Sequence, residues 1–195
     1  MALARACAPA RSTLADAVAR SCLDLGARVS PLELSPAAPD PAQQETTLEQ
    51  AVERVLGEAG EIDLLAVDAA GMLSAAVAGE GSAHGEGSAL LACMEACWSV
   101  TRAVVGGAFL ARQRAGRIVY LAPAADGGEH AQAACAGLEN LARTLSIEWA
   151  RYGITTVAVA PGVHTGDEEM GTLVGYLASP AGAYFSGCLL DLRGV

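Results

Sequence analysis

Short apolar runs alternate with helix-periodic segments along almost the whole chain, and this alternation limits the fold more than any other feature. The clearest run is Ile62-Asp63-Leu64-Leu65-Ala66-Val67. Such a continuous apolar stretch suits a strand covered on both faces of a parallel sheet. Before it, Thr47–Glu58 places Leu48, Ala51, Val52, Val55 and Leu56 on one helical side. Residues 2–8 read as a strand. A helix capped by Ser12 or Thr13 then runs to Leu25 and is stopped by Gly26. Ala27–Leu34 is a strand, and Ser35–Gln44, with Pro36, Pro39 and Pro41, reads as loop. Met72–Ser88 is rich in Gly, Ala and Ser and is expected to be mobile. Leu90–Gln113 is a long helix weakened at Gly106-Gly107. Ile118–Ala122 is a strand, Glu129–Tyr152 a helix ended by Gly153, Ile154–Ala160 a strand, Glu168–Ala178 a helix and Cys188–Leu192 a last strand. The pattern predicts an α/β doubly wound parallel sheet of about 6–7 strands between helices, in three layers.

At 195 residues the chain suits one domain, which buries roughly 70% of its unfolded surface. Its residues are 52% hydrophobic and only 17% charged, and a large subunit interface would account for that. The formal charge of -10 argues against nucleic acid and against anionic membrane surfaces. The six cysteines form no Cys-x-x-Cys pair. Cys93 and Cys97 share a helix side without further ligands, so no metal site is predicted. No 18-residue apolar run stands out, so no transmembrane helix is expected. The N-terminus lacks a signal-peptide core, and the cytoplasm is the default location. Every basic side chain is arginine, because the chain contains no lysine.

The segment Ala131–Ala150, then Gly153-Ile-Thr-Thr-Val-Ala-Val-Ala-Pro-Gly162, is similar to the helix, strand and Pro-Gly turn of the short-chain dehydrogenase/reductase family. Ile62–Gly71, Gly116-Arg-Ile-Val and Tyr176–Gly187 match the same family, and the matches together cover about two thirds of the chain. The resemblance implies a single, truncated Rossmann-like domain over residues 1–195. It also places the family's working residues. The catalytic tyrosine falls at Ala131, the lysine at Cys135, the serine at Pro123 and the helix asparagine at Cys93. None of these residues is a general acid at neutral pH, and general acid catalysis needs one within reach of the substrate. His130 is a weak replacement candidate, with Tyr120 behind it. His84 and His164 read as surface residues.

In the resembled family, glycines let the first loop approach a pyrophosphate at a helix N-terminus. Here Pro9, Thr13 and Ala15 stand in their place. Arg11 and Asp68 are weak cofactor-contact candidates, and Asp68 also suits a cap. Pro161-Gly162 passes almost directly into the next helix, without the family's substrate-covering insertion. No cofactor is therefore expected on this chain. The interface helix keeps a small-residue stripe, Ala133, Ala136, Gly137, Asn140 and Thr144, and the C-terminal approach keeps Tyr184 and Phe185. The expectation is a non-catalytic subunit that pairs with an active short-chain reductase paralogue, as a hetero-dimer or hetero-tetramer, with NAD(P) bound by the partner. The alternatives are an NAD(P)-dependent oxidoreductase with a rebuilt site, or a small-molecule-binding module on the same fold.

Overall fold

The computed structural model of the chain describes residues 1–7, 12–33, 41–79 and 88–193. Six strands, β1 (Ala2–Cys7), β2 (Arg28–Glu33), β3 (Leu64–Val67), β4 (Gly116–Leu121), β5 (Ile154–Ala160) and β6 (Cys188–Asp191), form one sheet in the order β2-β1-β3-β4-β5-β6. Every pairing is parallel. The strand order reverses between β1 and β3, the hallmark of a doubly wound sheet. The common six-strand order, 3-2-1-4-5-6, has one more strand outside the second. Here β2 is the edge, and it carries Pro31, which offers no N–H to a further neighbour.

Strand side chains alternate between two cores. Ala4, Ala6, Leu65, Val67, Ile118, Tyr120 and Ala158 face the helices α2 (Pro41–Ala59), α3 (Ala69–Gly79), α4 (Ser88–Val104) and α5 (Ala131–Trp149). Leu3, Leu64, Ala66, Val119, Leu121, Val157 and Val159 face α1 (Thr13–Asp24) and α6 (Asp167–Ala178). This is the three-layer α/β architecture that the alternation predicted. Gly26 (φ +80°) and Gly153 (φ +69°) adopt the left-handed conformation where the sequence placed helix stops.

Three expectations need correction. The stretch 35–44 is not all loop, because α2 begins at Pro41. Proline at the first helical position gives up only an N–H that no turn would have used. The stretch 72–88 is not all mobile, because α3 occupies Ala69–Gly79 with Met72 and Leu73 buried in the core. Residues 80–87, with His84, lie outside the described residues. Finally, α4 runs into a π-helical turn (Val105–Leu110) at the predicted weak point. Taken together, Ser88–Leu110 is long and apolar enough to cross a bilayer, at 23 residues and mean hydropathy 1.3. That apolarity has another use in the fold, since Cys93, Cys97, Val100 and Val104 are buried in the sheet-side core.

The α1/α6 layer depends on close backbone approach. A Cβ on Gly171 would lie 2.9 Å from Ser21 Cβ and 3.0 Å from the Ala17 carbonyl, and one on Gly175 would meet Leu25 at 2.7 Å. Gly171→Val should therefore cost about 1–3 kcal/mol through overpacking. Gly57→Ala in α2, where an added Cβ meets nothing within 4 Å, should stabilise by about 0.5–1 kcal/mol. Thermal unfolding of the two variants checks both signs.

Burial pushes the Cys22 thiol in α1 up to about 11. An unfolded cysteine ionises near 8.5, so the thiolate favours the unfolded chain first. The stabilisation is complete below roughly pH 8.5 and is lost as pH rises toward 11. Urea titrations across that window should show a shallower alkaline decline for Cys22→Ala than for the wild type.

Candidate functional site

Ligands of doubly wound sheets bind beyond the carboxyl ends of the strands, where the order reverses. In this chain that point lies between the ends of β1 and β3. Asp68 follows β3 directly and is fully buried. A buried carboxylate needs hydrogen bonds, and Asp68 has three from the described residues. The Ser12 N–H donates to its Oδ2 (3.0 Å), the Ser12 hydroxyl to Oδ1 (2.7 Å) and the Gly71 N–H to Oδ1 (2.9 Å). The Gly71 bond makes Asp68 the N-cap of α3. The Ser12 bonds tie β3 to the start of α1, and Ser12 Oγ in turn accepts the Ala15 N–H at 3.1 Å. The α1 entry is thus bonded from within, and a carboxylate already sits beside that positive helix end. Of the positions that the resemblance gives to glycines, Thr13 opens α1 on the surface and Ala15 is fully buried. Pro9 and Arg11 lie outside the described residues.

The remaining predicted slots converge on the carboxyl ends of β4 and β5. Pro123 follows β4 and is buried, and the turn after it folds back with Gly127 N–H on the Ala124 carbonyl (2.9 Å). Ala131 starts α5 and is fully buried. Cys135, one turn later, and Cys93 of α4 share one hydrophobic cluster with Ala69, Ala122 and Ala160. Cys93 spends its weak S–H donor on the Ala69 carbonyl (3.5 Å). Burial pushes the Cys135 thiol up, although the Arg193 charge opposes this. Arg193 is itself held by Asp191, with Nε on Oδ1 at 2.7 Å and a second guanidinium nitrogen on Oδ2 at 2.6 Å. Cys93, Pro123, Ala131 and Cys135, the positions that the resemblance assigns to the asparagine, serine, tyrosine and lysine, are all buried.

The replacement candidates fare differently. Tyr120 is fully buried, its hydroxyl 3.0 Å from that of Thr101, and burial raises its pKa, so it cannot reach a substrate. His130 is half-buried at the start of α5 and makes no capping bond. His164 is exposed in the short turn before α6.

The interface stripe is mixed. Ala133, Ala136, Asn140 and Thr144 are exposed along α5, and Ile147 continues them at 75% exposure. Gly137 instead serves an internal contact, where a Cβ would press on Met94 of α4 at 3.1 Å. Tyr184 is 92% exposed, whereas Phe185 packs edge-on against Tyr176 at 6.1 Å. Gly137 and Phe185 are thus engaged within the chain, where small size and an aromatic neighbour are already used.

The family model described as enoyl-(acyl carrier protein) reductase matches residues 8–167. The chain belongs to the short-chain dehydrogenase/reductase family. Among solved structures it is similar to a short-chain dehydrogenase from Bacillus anthracis (23% identity, TM-score 0.75, covering 98% of this chain and 95% of that one). It is also similar to a single-substitution variant of the actinorhodin polyketide ketoreductase with NADPH (20%, 0.72, 99% and 96%). A third is a doubly substituted short-chain dehydrogenase/reductase from Serratia marcescens (19%, 0.70, 97% and 94%). No curated protein matches the sequence. Family membership accounts for the parallel sheet and its switch point, and those relatives share the fold at low identity.

The sequence suggested both a cap and a cofactor contact for Asp68, and the geometry supports the cap. The bonds to Ser12 had no sequence signal, because the two residues lie 56 positions apart. Asp68→Ala should cost about 2–4 kcal/mol, combining a lost N-cap with stranded N–H groups. Asp68→Asn, which keeps an acceptor, should cost roughly half of that. Urea unfolding of the three proteins gives the ranking.

Proposed function

We propose that this member of an oxidoreductase family is non-catalytic, and that it pairs with an active NAD(P)-dependent short-chain reductase which it stabilises or modulates. The supporting observation is the burial of Cys93, Pro123, Ala131 and Cys135, whose own side chains offer a substrate no general acid or cation at neutral pH. General acid catalysis has no starting group there. The residues at the α1 end also do not suit a dinucleotide. A pyrophosphate would approach the Asp68 carboxylate, and Ser12 is already committed to it. NAD(P) accordingly belongs to the partner, and the setting is cytoplasmic.

The exposed Ala133, Ala136, Asn140 and Thr144 are short enough to let a partner helix lie close against α5. Leu91 and Ile147, 59% and 75% exposed, would bring apolar area to the same contact. A partner that binds only the folded chain also raises its stability by mass action.

Co-expression with a short-chain reductase should yield a mixed oligomer, while the isolated chain leaves NADPH fluorescence unchanged up to millimolar cofactor. Ala136→Arg should abolish the mixed species without altering the unfolding temperature of the isolated chain. Recovery of unmixed species only would count against the pairing. A second reading, an oxidoreductase with a rebuilt site, draws on His130, the half-buried imidazole beside the tyrosine slot. Tight NADPH binding by the isolated chain, with turnover lost in His130→Ala, would favour it instead.

A further inference from the structure

We draw no further inference here: the strongest candidate, the buried sulfur cluster of Met72, Cys93 and Cys97 where α3 packs on α4, shares Cys93 with the site already described and otherwise shows only the contacts of a hydrophobic core, the Cys97 thiol lying 3.7 Å from the Met72 sulfur.

Discussion

One buried carboxylate holds the strand-end side of this fold together. Asp68 joins the end of β3, the cap of α3 and the entry of α1 through three hydrogen bonds. The α1 entry lies far from the other two in sequence, and each helix start would otherwise leave backbone donors unpaired at the same place. A carboxylate can accept several bonds at once, and it suits two helix N-termini that both present partial positive charge. The same choice has a functional consequence. A helix end that is neutralised from within has less to offer an external anion.

Away from that point the molecule is held by small residues. β1 places Ala2, Ala4 and Ala6 in the middle of the sheet, fully or almost fully buried. Small strand residues let the flanking helices settle close to the sheet. Gly171 and Gly175 extend the principle to the thinner layer, where α6 lies nearly on the backbone of α1. Such packing has little tolerance for added atoms. It leaves the fold dependent on positions that carry no chemistry at all.

Most of the architecture was legible in the sequence, because strand and helix periods are local signals. Ile154–Ala160 was readable to the residue, since Gly153 and Pro161 bracket it. The helix of 41–59 was read as starting late, because Pro41 looks like a breaker until its position in the first turn is known. α3 was missed because its Ala- and Gly-rich sequence has little amphipathic contrast, and only Asp68 marks its start. For the candidate site the sequence offered positions, assigned by resemblance, without the contacts between them. What could not be read was how these residues pack: that Cys93 and Cys135 would share one apolar cluster, or that Gly137 would be pressed by Met94. Contacts between residues dozens of positions apart have no local signature.

The charge distribution connects these observations. With 22 acidic and 12 basic side chains, not every carboxylate can find a partner within the chain. The arginines are spent at specific joints: Arg5 on Asp16, Arg114 on Glu61 and Asp63, Arg143 on Glu139 and Arg193 on Asp191. These pairs fasten strand ends and helix flanks, and the surplus negative charge falls on the outer surface. On α2 the surplus is ordered at one spacing along one wall of a groove, opposite an exposed indole. A random surplus would lower self-association without selecting a partner. On net charge alone, therefore, this surface discourages self-association rather than choosing what binds it.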